Sequence, residues 1–190
     1  VFSFKLRGAF NRMSQLTKGE LSKGVIASSA GNHAQGVALS ASFLKSRAII
    51  VMPLTTPMMK VRAVESLKAE VILFGETYDE CYEKALEISN KENLTFIHPF
   101  DDPEVIAGQG TIGLEILRQS HTPPEAIYIA VGGGGLIAGV SAYVKAIWPN
   151  TKIIGVEPED ACAMTLSLKE IKPVELESVG LFADGVAVRK

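Results

Sequence analysis

The loop that follows the first apolar stretch of the chain concentrates polar groups that can bind an anion. It reads Ser28-Ser29-Ala30-Gly31-Asn32-His33, and a helical pattern follows from about Ala34. Hydroxyls, an amide, an imidazole and several backbone N–H groups form a nest that suits a carboxylate. A simpler interpretation is that Ser29 or Asn32 only caps the helix. This density of polar groups exceeds what a cap needs, so we predict a binding loop.

Four consecutive glycines predict a second anion site. Gly132-Gly133-Gly134-Gly135 stands between the apolar run 126–131 and a helical pattern over 136–145. Glycines allow backbone N–H groups to approach a ligand without an intervening Cβ, and the N-terminus of the following helix favours negative charge. The pattern therefore indicates a phosphate loop. A flexible turn is the alternative. The loop also resembles a dinucleotide-binding fingerprint in outline, but no acidic residue lies about 20 positions further on at a predicted strand end to bind a ribose, and Glu157 is the nearest candidate.

Lys5 is the candidate reactive amine. It is flanked by Phe4 and Leu6, and a lysine among apolar side chains can have a lowered pKa and act as a nucleophile or base. By itself, the same residue could be only a cation beside apolar groups. The sequence around Lys5 therefore leaves both interpretations open.

The remaining reactive side chains predict neither a metal site nor a hydrolytic triad. The histidines and cysteines are scattered along the chain: His33, His98, His121, Cys81 and Cys162. No serine occupies a Gly-x-Ser-x-Gly turn, and the glycine run is not a nucleoside-triphosphate loop. Free thiols in a reduced compartment are the expected state of the two cysteines.

Strand and helix patterns alternate about six times, which is typical of α/β folds with parallel sheets covered by helices. We predict helices over 6–21, 34–44, 55–67, 77–90 and 102–119, and strands over 24–27, 47–52, 70–74 and 94–97. Thr55 or Thr56 is expected to cap the third of these helices. Ligands of such folds lie at the carboxyl ends of strands, where the loops 28–33, 99–102 and 132–135 fall.

Composition argues against several partners. The chain has 190 residues, 47% of them hydrophobic and 21% charged, with a net charge of −2. Mixed charge argues against nucleic acid or an anionic membrane surface, and no apolar run is long enough to span a membrane. The chain begins with Val1 instead of Met and ends without a terminal helix, so we expect a segment truncated at both ends.

Four motifs, in order and at matching spacing, resemble the serine/threonine dehydratase branch of the fold-type II pyridoxal-phosphate enzymes. They are Ser3-Phe4-Lys5-Leu6-Arg7-Gly8, Ser29–Gly36, Gly108-Gln109-Gly110-Thr111 and Gly132–Leu136. The likeness covers essentially the whole chain. The runs Val1–Phe10 and Phe100-Asp101-Asp102-Pro103 are most similar to the biosynthetic threonine deaminases of plants.

The resemblance implies a two-domain α/β fold of the tryptophan synthase β type. Residues 9–108 would form a small domain, and residues 1–8 and 109–190 would be part of the large cofactor-binding domain. Lys5 would hold pyridoxal 5'-phosphate as a Schiff base and act as the catalytic residue. The other implied cofactor contacts are Phe4, Asn32, Gly132, Gly133, Gly134, Gly135 and Leu136. The implied substrate-carboxylate contacts are Ser29, Ala30, Gly31, Asn32 and His33.

The implied reaction is dehydration and deamination of L-threonine to 2-oxobutanoate and ammonia, the first step of isoleucine biosynthesis. The full-length protein would be a homo-oligomer, in the chloroplast of a plant or in the cytoplasm otherwise. Alternatives are an L-serine dehydratase or serine racemase-like enzyme, a non-catalytic fragment, and, from the glycine run alone, a nicotinamide-dependent oxidoreductase.

Two departures separate the chain from its racemase-like relatives. Those enzymes have a serine where Ala30 stands, which handles a proton on the opposite face of the cofactor, and an asparagine where Phe100 stands. Their divalent-metal site would map onto Glu157, Ala161 and Ala163, where one carboxylate is missing. We therefore expect elimination in preference to racemisation, and no tight divalent-metal site.

Overall fold

The computed structural model describes residues 3–180 and 182–190, so Val1 and Phe2 of the run Val1–Phe10 lie outside the described residues. The chain divides into two compact units, Val1–Pro99 and Phe100–Lys190, and each is an α/β unit with a parallel sheet. The division of the complete protein into domains 9–108 and 1–8 with 109–190 stays a prediction.

The first unit is a four-stranded parallel sheet in the order β3-β2-β1-β4. Its strands are β1 (Val25–Ser28), β2 (Ala48–Met52), β3 (Glu70–Leu73) and β4 (Thr95–Phe96). Its helices are α1 (Lys5–Ser14), α2 (Lys18–Lys23), α3 (Asn32–Leu44), α4 (Met58–Glu65) and α5 (Tyr78–Glu92).

Both faces of this sheet are covered, which explains the continuous apolar strands of the sequence. Neighbouring residues of a strand point to opposite faces. Val25 and Ile50 therefore belong to a core cluster with Met13 of α1, among others. Ile26 belongs to a second cluster, with Cys81 of α5.

The second unit contains two parallel strands, β5 (Ala126–Ala130) and β6 (Lys152–Val156). Its helices are α6 (Pro103–Gln119), α7 (Gly135–Ile147) and α8 (Ala163–Glu170), with short 3-10 turns at Glu159–Ala161 and Asp184–Val186. Helices α6 and α7 pack with their backbones close together, because a Cβ on Gly110 would lie 3.0 Å from the carbonyl oxygen of Gly139. No helix within the described residues is long and apolar enough to cross a membrane.

Three predictions about these elements were wrong or incomplete. The predicted helix over 6–21 is two helices, because Thr17 and Glu20 form a capping box that starts α2. The predicted threonine cap of α4 is replaced by Pro57, without a side-chain cap. Thr56 is instead buried, and its N–H donates to the carbonyl oxygen of Pro53. Strand β6 and helix α8 were not predicted.

Candidate functional site

Lys5 begins α1 in an environment that lowers the pKa of its amine. Its Nζ donates a hydrogen bond to the carbonyl oxygen of Pro99 at 2.9 Å and lies 5.4 Å from the centre of the Phe4 ring. Burial lowers the pKa of Lys5 from 10.5 to about 8, because desolvation disfavours the charged form. Slightly above neutral pH, the Lys5 amine is therefore uncharged in an appreciable fraction of the molecules, as a nucleophile or base requires.

Helix α3 packs directly on the backbone of Lys5. A Cβ on Gly36 would lie 3.2 Å from the carbonyl oxygen of Lys5 and 3.2 Å from the backbone nitrogen of Leu6. This glycine, part of the second motif, thus allows the start of α1 to lie against α3. Within the first unit, Lys5 therefore lies against the helix that follows the polar loop.

The polar loop does not cap its own helix. Helix α3 begins at Asn32, its N-cap is Gly31, and no side chain accepts a hydrogen bond from its first turn. Ser29 instead accepts a hydrogen bond at 3.2 Å from the backbone N–H of Gly31. The capping interpretation is wrong, and the free N–H groups of α3, without an acidic residue in the first turn, can bind an anion.

His33 is neutral and buried. Its Nε2 lies 2.9 Å from the carbonyl oxygen of Ile97, which can only accept, so the N–H is on Nε2. Burial lowers its pKa to about 3, and the nearby charge of Lys5 acts in the same direction. Since the only ring N–H is donated to Ile97, the carboxylate contact predicted for His33 would use its backbone N–H, and this contact stays a prediction. The Nδ1 of His33 and the hydroxyl of Ser28 are buried without a hydrogen-bond partner.

The glycine loop, Gly132–Gly135, leads from β5 into α7. Its Gly134 is the N-cap of α7, with φ of 84° and no side-chain cap, and the first turn has no acidic residue. Leu136 is partly buried against a core cluster of this unit. These free backbone N–H groups and the positive end of the helix dipole fit a phosphate.

The glycines of this loop are also required because other protein groups pack closely against it. A Cβ on Gly133 would collide with the ring of Phe100, and one on Gly134 would lie 2.7 Å from Cε of Met164. A Cβ on Gly135 would lie 2.6 Å from the carbonyl oxygen of Phe100. Sequence reasoning missed these contacts, although Phe100 stands in a loop expected at the carboxyl end of a strand.

Glu157 directly follows β6, so an acidic residue does occupy a strand end after the glycine loop. Its carboxylate accepts hydrogen bonds from the backbone N–H groups of Met164 at 3.0 Å and Thr165 at 2.8 Å. This bonding at the start of α8 argues against a ribose contact. Among the described residues, no group of three or more His, Cys, Asp or Glu side chains could hold a metal ion.

Each unit contains a helix N-terminus that can bind an anion. Helices α2, α5 and α6 have side-chain caps, whereas α3 and α7, like α1 and α4, begin without a side-chain cap and without acidic residues in the first turn. Helices α3 and α7 are the two of these four that follow the polar loop and the glycine loop. The first unit adds the amine of Lys5, whose pKa is lowered. An uncapped helix N-terminus fits a phosphate, and an amine fits an aldehyde, so the residues fit pyridoxal phosphate.

Comparisons with known proteins agree with this chemistry. The family model described as "Pyridoxal-phosphate dependent enzyme" matches residues 1–190. The chain is 62% identical to "Threonine dehydratase biosynthetic, chloroplastic" of Arabidopsis thaliana, covering 100% of the chain and 32% of that protein. It is 57% identical to "L-threonine dehydratase biosynthetic IlvA" of Burkholderia multivorans, covering 100% and 38%. The chain thus spans about a third of the length of these curated relatives.

Solved structures of threonine deaminases and related enzymes are also similar to this chain. The processed form of threonine deaminase isoform 2 from Solanum lycopersicum matches with a TM-score of 0.97 and 60% identity, covering 100% of this chain and 55% of that one. Maize serine racemase matches with a TM-score of 0.93 and 34% identity, covering 98% and 56%. The predicted fold-type II architecture is confirmed.

Proposed function

This chain belongs to the family of pyridoxal-phosphate-dependent enzymes, and on that premise we propose that the complete protein is a threonine ammonia-lyase. It would convert L-threonine to 2-oxobutanoate and ammonia, the first step of isoleucine biosynthesis. We base the substrate on the 62% and 57% identity to relatives named biosynthetic threonine dehydratases. We base the chemistry on one observation, the buried amine of Lys5 with its pKa lowered to about 8.

Each proposed site residue has a defined task. Lys5 would hold the cofactor covalently, and its amine would later move the proton at the substrate Cα. Phe4 would pack against the cofactor ring, and Asn32 would hydrogen-bond its hydroxyl. The glycine loop and Leu136 would hold the phosphate through backbone N–H groups. The cofactor, when bound, would supply an electron sink for the electron pair that proton removal leaves at Cα.

The loop from Ser29 to His33 binds the substrate carboxylate in this proposal. The uncapped N-terminus of α3 supplies N–H groups and a favourable dipole, and the hydroxyl of Ser29 adds a donor. The side chain of Ala30 carries no exchangeable proton, which favours elimination over racemisation. A preference for threonine over serine requires a pocket for one extra methyl group, a discrimination worth about 1–3 kcal/mol.

We also propose a homo-oligomer that acts on small amino acids without nucleic-acid or membrane partners. The relatives from Arabidopsis thaliana and Solanum lycopersicum are named chloroplastic, and the one from Schizosaccharomyces pombe is named mitochondrial. We propose a plastid location if the source is a plant and a cytoplasmic one otherwise.

The test uses purified full-length protein. Wild-type protein should contain pyridoxal phosphate and form a 2-oxo acid from L-threonine, with L-serine as the competing substrate. Lys5→Ala should lose the lysine-bound absorbance band and the activity. Full activity in Lys5→Ala, or bound nicotinamide dinucleotide in place of pyridoxal phosphate, would contradict the proposal.

A further inference from the structure

The glycine loop is contacted from outside by two large side chains. The ring of Phe100 occupies the space that a Cβ on Gly133 would need, and its carbonyl oxygen lies 2.6 Å from the Cβ position of Gly135. Cε of Met164 lies 2.7 Å from the Cβ position of Gly134. Phe100 precedes α6 and Met164 belongs to the first turn of α8, so two different elements pack against the loop.

Glu157 fixes the position of Met164. Its carboxylate accepts hydrogen bonds from the backbone N–H of Met164 at 3.0 Å, the N–H of Thr165 at 2.8 Å and the hydroxyl of Thr165 at 2.7 Å. Glu157 comes directly after β6, and β6 pairs with β5, from which the glycine loop emerges. The start of α8 and the glycine loop are therefore both connected to the same pair of strands.

A run of four glycines has more conformational freedom than other sequences. Each loop residue whose backbone is fixed only when the ligand binds weakens binding about tenfold. Side chains that already pack on the loop avoid this loss of affinity, because they order the loop before the ligand binds. We propose that Phe100 and Met164 are positioning residues that order the glycine loop for the cofactor phosphate, with Glu157 fixing Met164. This inference rests on the proposed function.

The first test measures the dissociation constant of pyridoxal phosphate for variants of the full-length protein. Phe100→Ala and Met164→Ala should each weaken binding about tenfold, whereas Phe100→Tyr keeps the ring and should bind as the wild type does. Leu168→Ala is the matched control, because Leu168 lies on the same helix as Met164 and is 73% exposed. The KM for the amino acid at saturating cofactor should stay unchanged in all four variants.

The second test measures amide hydrogen exchange of the glycine loop in cofactor-free protein. Exchange should be faster in Phe100→Ala and Met164→Ala than in Leu168→Ala, with the difference confined to the loop. Equal affinity and equal exchange in these variants would overturn the inference. If the wild-type protein binds no pyridoxal phosphate, the proposed function fails, and the exchange rates still decide whether these side chains order the loop.

Discussion

The imidazole of His33 donates a hydrogen bond from Nε2 to the carbonyl oxygen of Ile97 at 2.9 Å. This bond joins the first turn of α3 to the segment just after β4. Two residues further along, Pro99 accepts the hydrogen bond from the Nζ of Lys5. His33 and Lys5 are therefore both hydrogen-bonded to the same short segment, residues 97–99.

Replacing His33 by leucine should destabilise the protein by about 1–3 kcal/mol, because the buried Ile97 carbonyl loses its donor. His33→Gln can still donate and should be closer to the wild type. Urea unfolding of the full-length protein measures both. Burial lowers the pKa of His33 to about 3, so His33 does not change its charge near neutral pH. We therefore expect no inflection from His33 in the pH profile of kcat/KM near neutrality. Equal stability of the leucine and glutamine variants would contradict this assignment.

The lowered pKa of Lys5 predicts how the stability of the cofactor-free protein depends on pH. The pKa is about 8 in the folded state and 10.5 as the reference value, so between these pH values the unfolded state binds more protons. The free energy of unfolding therefore rises with pH between about 8 and 10.5, and the destabilisation caused by burying the charged amine is fully present below pH 8. This destabilisation is roughly 3 kcal/mol at most.

Lys5→Met removes the charge while keeping an unbranched side chain. The cofactor-free variant should be more stable than the wild type at pH 7 by about 1–3 kcal/mol. The loss of the hydrogen bond to Pro99 reduces this gain. The difference should shrink as the pH rises toward 10. Urea unfolding at several pH values checks this, and a difference that does not change with pH would refute it.

The sequence predicts those parts of the fold that depend on local apolar patterns. Strand β2 was predicted within one residue, because a buried strand of a parallel sheet is apolar at every position. The break before α2 was missed because the apolar spacing continues across it to Leu16 and Leu21, which both contribute to the same core.

The sequence can propose a candidate site where one motif contains the chemistry, as for Lys5 and the glycine loop, and the roles of these residues stay predictions. The contacts of Phe100 and Met164 with that loop were not predictable, because they join segments about 30 residues apart. They depend on how helices and strands pack, including the close approach of Gly110 and Gly139. No local sequence pattern indicates such packing.

Two glycine-to-alanine variants should separate packing from substrate binding. Gly135→Ala places a Cβ 2.6 Å from the backbone oxygen of Phe100, so it should destabilise the fold by about 1–3 kcal/mol and weaken cofactor binding. Gly31→Ala meets no atom within 4 Å and should change stability by less than about 0.5 kcal/mol.

The Gly31→Ala variant should instead raise the KM for the amino acid, because the methyl group lies at the N-terminus of α3, where the carboxylate is proposed to bind. Thermal unfolding, cofactor affinity and KM should be measured on both variants. A normal KM with weakened cofactor affinity in Gly31→Ala would place the substrate carboxylate elsewhere.

Ala30→Ser should test the reaction type. The methyl side chain of alanine has no proton to exchange, whereas a serine hydroxyl at this position could return a proton to the opposite face of the substrate Cα. We expect the variant to retain elimination and to gain epimerisation of L-threonine to D-allo-threonine, with deuterium from solvent at Cα. Chiral chromatography and mass spectrometry measure both, with Ala30→Gly as the control that adds no hydroxyl. Epimerisation in the wild type at the rate of the variant would show that Ala30 does not determine the outcome.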